Sequence, residues 1–142
     1  MIVFGLDADT SATRKEAGRA ALDCAQSILA EVGDWSALRI VNGADPVRVG
    51  VGVHFGEAYC GAIGDEDRLE FTVLRDTVNV AALLEAFTKT TGKPIAASES
   101  VLTAAGFSWR LGRQLGLSHL GAATRQLLSF QAGAETLHFT KQ

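Results

Sequence analysis

At 142 residues with a formal charge of −3, the chain is one domain long enough to bury a core, and 47% apolar against 20% charged residues is a soluble globular balance. No basic stripe suited to nucleic acid runs along any segment, and no apolar run nears the roughly 20 residues of a membrane span. Met1–Gly5 lacks the basic start and apolar length of a secretion signal, and Cys24 and Cys60 have no partner at metal-ligand spacing, so both read as buried reduced thiols in a cytoplasmic protein.

In chain order, Met1–Gly5 reads as a short apolar strand and Leu6–Thr10 as a loop. Thr13 and Glu16 have capping-box spacing and open a helix to about Val32. Its stripe of Ala17, Ala21, Cys24, Ala25, Ile28, Leu29 and Val32 has a helical period, and Gly33 and Asp34 are expected to stop it. Ser36–Pro46 reads as a connection with an Asn42-Gly43 turn.

Val47–Phe55 alternates strictly, with Val47, Val49, Val51, Val53 and Phe55 on one face and Arg48, Gly50, Gly52 and His54 on the other. Paired glycines on one face of a strand imply a close neighbour, expected to be a helix crossing the sheet. Gly56 turns the chain, Ala58–Ile63 returns as its hairpin partner, and residues 64–67 form a polar turn before a strand over Leu69–Leu74.

Asp76 or Thr77 caps a helix to about Thr90, with Val80, Leu83, Leu84 and Phe87 as its inner stripe. Gly92-Lys93-Pro94 breaks it, Ile95–Ala97 is a short strand, and Ser98 or Glu99 opens a short helix ending at Gly106. Two further strands fall near Gln126–Phe130 and Leu137–Thr140. Hairpins mixed with helices indicate an α+β domain with a largely antiparallel sheet.

Two segments carry chemistry: Gly52-Val53-His54-Phe55-Gly56-Glu57, and Asp76-Thr77-Val78-Asn79-Val80-Ala81-Ala82-Leu83-Leu84. Together they resemble the G-x-H-x-G-E and D-T-V-N-x-A-x-R-L segments of the class III adenylate/guanylate cyclase catalytic domain. The resemblance covers Val47–Val101 well, the first helix loosely and the tail poorly. It implies a ferredoxin-like class III nucleotidyl cyclase homology domain over residues 1–142, lacking its first strand and helices.

What the resemblance implies about chemistry is specific. Class III cyclases convert ATP or GTP to a 3′,5′-cyclic nucleotide and pyrophosphate, with Mg or Mn ions held by two aspartates. Each subunit of a dimer gives half of each site. Asn79 matches the ribose-orienting asparagine. Thr72 stands where the family places a base-reading aspartate or threonine, which favours adenine. Thr72, Val73, Asp76 and Asn79 are the implied substrate-binding residues. The family's phosphate-binding arginine is replaced by Leu83, a loss on the order of 2.7–4 kcal/mol in transition-state stabilisation if it matches removal of an oxyanion donor.

The metal aspartates and base-reading lysine have no counterpart here, because the resemblance begins at the second strand of the hairpin that carries them. Asp7 and Asp9 lie after that strand and read as loop acids. Truncation, completion by a second chain, or degeneration with re-paired strands would each account for the missing front end. His54 belongs to the motif without an assigned role; His119, His138, Tyr59, Trp35 and Trp109 read as structural, and Arg75 as a solvated surface residue.

The expected function is therefore a class III cyclase-type domain in cyclic AMP signalling, inactive as this chain alone. One alternative is a pseudo-cyclase regulatory module that dimerises with itself or with an active cyclase. A generic ferredoxin-like ligand-binding domain is a more distant one. Abundant Ala and Gly point to a bacterial source.

Overall fold

The computed structural model describes residues 1–64, 69–74, 76–107 and 127–130, with the side chains of residues 63–64, 69–72, 74 and 127–130 left aside. The expected strand at Leu137–Thr140, the polar turn after Gly64, Arg75, Trp109, His119 and His138 lie outside them, wholly or in part.

The first helix, α1, spans Ser11–Val41. Thr10 is its N-cap, and a capping box joins Thr10 to Thr13, one turn earlier than the Thr13–Glu16 spacing suggested. The helix also runs straight through Gly33 and Asp34. A Cβ on Gly33 would meet nothing within 4 Å, so this glycine carries no turn. Contacts further on hold the helix together: buried Ser36 accepts the Val47 N–H at 3.0 Å, and Arg39 Nε donates to the Asp45 carbonyl at 3.1 Å. The stop comes at Asn42-Gly43, where Gly43 takes φ +74°.

Strand β1 is only Val51–Val53, shorter than the alternation over Val47–Phe55. The other strands are β2 (Tyr59–Gly64), β3 (Leu69–Leu74), β4 (Ile95–Ser98) and β5 (Leu127–Phe130), and the other helices are α2 (Asp76–Thr91) and α3 (Glu99–Ala104). β2 and β3 form an antiparallel hairpin of their own, with Thr72 opposite Gly61 and Val73 opposite Cys60. The expected hairpin between β1 and β2 does not form. β1 pairs in parallel with β4, with Val51 opposite Ile95 and Val53 opposite Ala97. β5 completes that sheet antiparallel to β4. The fold is α+β, and the three-stranded sheet is mixed rather than antiparallel.

Two layers of helix cover this sheet. On one face, Val53, Ile95 and Ala97 pack with Leu22 and Ala25 of α1 and with Val101, Leu102 and Ala105 at α3. On the other, Leu84 and Phe87 of α2 pack with Ala96. The paired glycines do what their spacing implied. A Cβ on Gly52 would fall 2.5 Å from Glu85 N and 2.9 Å from Leu84 Cβ, so only a bare backbone lets α2 approach.

Met1–Gly5 forms no strand, and its apolar side chains are exposed, Met1 at 82% and Ile2 at 62%. A five-residue apolar run is a strand only where a neighbour supplies its hydrogen bonds. Cys60 is exposed, and Cys24 only partly buried, which corrects the expectation of two buried thiols.

Candidate functional site

The start of α2 meets the glycine loop after β1, and both motifs converge there. Thr77 Oγ1 donates to the Glu57 carbonyl oxygen at 2.5 Å. Gly56 makes room for this: a Cβ there would stand 2.7 Å from Thr77 Oγ1. Thr77 is thus the residue that stitches the two motifs together. Sequence reasoning saw it only as a possible cap. A hydroxyl at a helix start following a glycine-containing turn was the available signal.

Around this junction the expected site residues fall into separate groups. Asp76 lies in the first turn of α2 and is exposed, where a carboxylate suits the positive end of the helix. Asn79 is exposed as well. Val73 is half-buried and lines the cavity described below. Thr72 is placed by its backbone in β3, two strand positions from Leu74.

Leu83 differs from its expected place in the inner stripe. It is 42% exposed, while Leu84 is fully buried. The reason is rotational: α2 turns Leu84, Phe87 and Thr88 toward the sheet, which carries Leu83 outward with Asn79 one turn before it. An arginine at this position would have faced the same way.

A cavity of about 1230 Å³ runs beside the junction. The Met1–Asp9 segment, α1, β1 and the start of α2 wall it, with Val73, Thr77, Val78 and Ala82 near its α2 end. Asn79 and Leu83 stand outside it, on the open surface of α2.

His54 lies at the other end of the glycine loop. Its Nδ1 is 2.8 Å from Ser98 Oγ and 3.3 Å from Ser100 Oγ. Burial pushes its pKa below the usual histidine value of 6.5, which favours the neutral ring.

Residues 1–113 match the family model described as the adenylate and guanylate cyclase catalytic domain. The chain belongs to this family. Among curated relatives, the chain is 33% identical over 79 residues to adenylate cyclase 1 of Rhizobium meliloti, a match covering 56% of this chain and 12% of that protein. It is 40% identical over 60 residues to an adenylate cyclase of Anabaena cylindrica, covering 42% of this chain and again 12% of the relative. The cyclase-family chain thus spans about an eighth of the length of these relatives.

Solved structures agree on the fold. The guanylyl cyclase Cya2 superposes with a TM-score of 0.67 over 98% of this chain and 68% of that one, at 22% identity. A bacterial light-regulated adenylyl cyclase matches with a TM-score of 0.53 at 27% identity, covering 63% of this chain and 27% of the other.

The family uses Mg or Mn. Among the described residues, no group of three or more His, Cys, Asp or Glu side chains is placed to hold a metal ion. Asp7 and Asp9 are exposed on the N-terminal segment, joined by a backbone bond from Asp9 N–H to the Asp7 carbonyl at 2.9 Å. Asp7 and Asp9 belong to no such group among the described residues. No helix among the described residues is long and apolar enough to cross a membrane.

Proposed function

We propose that this domain is built to present a nucleotide-binding half-site of the class III cyclase type, with Asn79 orienting the ribose of ATP. The observation that carries this reading is the position of Asn79. It is exposed on the first turns of α2, and that helix is tied to the glycine loop by the Thr77–Glu57 bond. An amide so held points outward from a fixed platform rather than into the protomer. The family's reaction, ATP to cyclic AMP and pyrophosphate, needs a second half-site, and the outward face of Asn79 suits a site shared between subunits.

In this reading the chain has no turnover by itself. Leu83 offers neither charge nor hydrogen bond where the family stabilises phosphate with a guanidinium. Purified protein incubated with ATP and manganese is expected to make no cyclic AMP above the blank, and Leu83→Arg is expected not to restore it. Cyclic AMP from either protein would overturn the reading of an inactive chain.

A second reading is favoured by a specific observation, the exposure of Leu83 at 42%. An apolar side chain at a solvent-facing position suits a packing role between subunits. On this account the domain is a pseudo-cyclase that dimerises with itself or with an active cyclase.

A further inference from the structure

His54 lies at the end of β1 and is not used by the nucleotide reading. Its neighbours form a chain of polar atoms. Ser98 Oγ is 2.8 Å from His54 Nδ1 and 2.8 Å from Ser100 Oγ, and Ser100 Oγ is 2.7 Å from the carbonyl oxygen of Phe55.

The direction of this chain follows from what each atom can do. A carbonyl oxygen only accepts, so the Ser100 hydroxyl donates to Phe55. A hydroxyl has one hydrogen, so the hydrogen between the two serine oxygens comes from Ser98. The Ser98 oxygen then accepts twice, from the Val101 N–H at 3.4 Å and from a hydrogen on His54 Nδ1. Every hydrogen is used once. The other neutral tautomer fails this count. With the hydrogen on Nε2, Ser98 would donate to Nδ1, and two serine oxygens would sit 2.8 Å apart with none between them.

We propose that His54 is a positioning residue: held as the Nδ1–H tautomer by the Ser98–Ser100 relay, it fixes the Phe55–Glu57 loop and thereby the first turn of α2, which carries Asn79. The loop is gripped from both ends. Ser100 holds the Phe55 carbonyl, and Thr77 holds the Glu57 carbonyl. Gly56 lies between them, and a Cβ there would stand 3.3 Å from His54 Nε2 and 2.7 Å from Thr77 Oγ1. Ring, loop and helix start therefore meet at one residue too small to separate them. Burial, which disfavours the charged ring, keeps Nε2 bare. The inference rests on the nucleotide reading only for what the positioning serves.

The test uses the full chain without nucleotide. Long-range proton–nitrogen NMR correlations on the His54 ring are expected to show hydrogen on Nδ1 and a bare Nε2 above neutral pH; hydrogen on Nε2 overturns the proposal. His54→Asn places an amide donor near the position of Nδ1 and is expected to leave the Thr77 and Asn79 backbone amide signals at their wild-type positions. His54→Phe and Ser100→Ala are expected to move both signals and to speed amide exchange in the first turn of α2 by roughly 2- to 10-fold, the loss expected of one hydrogen bond.

Unmoved signals in folded His54→Phe and Ser100→Ala proteins overturn the coupling. Should His54→Phe fail to fold, the wild-type tautomer and Ser100→Ala still decide. Adding ATP then tests the nucleotide reading separately: an Asn79 signal indifferent to ATP would end that reading and leave the tautomer and coupling results standing.

Discussion

His54 shows how a single side chain links the loop chemistry to pH. Its folded-state pKa lies below 6.5 because burial disfavours the imidazolium. The unfolded chain then binds more protons than the folded one between the lowered value and 6.5, so stability rises with pH through that window, is lost on acidification through it and levels off below the lowered value. Among the described residues, the Asp, Glu, Lys and Arg side chains that line the same cavities as His54 are Arg14 of α1, Glu99 of α3, Glu57 of the loop, Asp7, Asp9 and Glu85. Urea unfolding across mildly acidic pH is expected to show this loss, and His54→Asn is expected to flatten it. An equal slope in the variant would assign the effect to other groups. Leu83 is the opposite case: its identity was plain from the motif, but its exposure was not. That depended on how far α2 is rotated against β1 and β4.

At the scale of elements, two glycines with similar sequence signals have opposite physical roles. Gly33 interrupts an apolar stripe and reads as a helix stop, yet it lies inside α1 with open space around it. Gly33→Ala is expected to stabilise the protein by about 0.4–1 kcal/mol through the unfolded chain, read as a higher urea midpoint. Gly52 faces α2 across a gap with no room for a methyl group. Gly52→Ala is expected to cost about 1–3 kcal/mol as α2 is forced off the sheet, with a matching fall in the urea midpoint. Strand alternation revealed the second glycine because its period reports a face. A helix stop is judged from one or two adjacent residues, here Gly33 and Asp34, and contacts at Ser36 and Arg39 overrode it.

At the scale of the whole molecule, several large apolar side chains among the described residues are open to solvent. Met1, Leu38, Val41 and Leu6 are each more than half exposed, and so is Tyr59 beside the large cavity. Where such side chains lie together in one patch, they favour association. Sedimentation over the micromolar range is expected to show a concentration-dependent dimer; a strict monomer would count against both a shared half-site and a regulatory dimer.

What the sequence by itself determined is local: the α2 and α3 helices with their breaks, the β3 strand, the face carrying Gly50 and Gly52, and the two motifs that mark the family. Each depends on residues within a turn or a strand of one another. Only the tertiary structure decided that β1 joins β4 in parallel rather than β2, that Leu83 turns outward, and that His54 meets Ser98 from 44 residues away. The physical reason is that strand partners and hydroxyl relays are chosen by which distant backbone and polar groups would otherwise go unpaired when the helices close over the sheet. Neither period nor spacing along the chain records that choice.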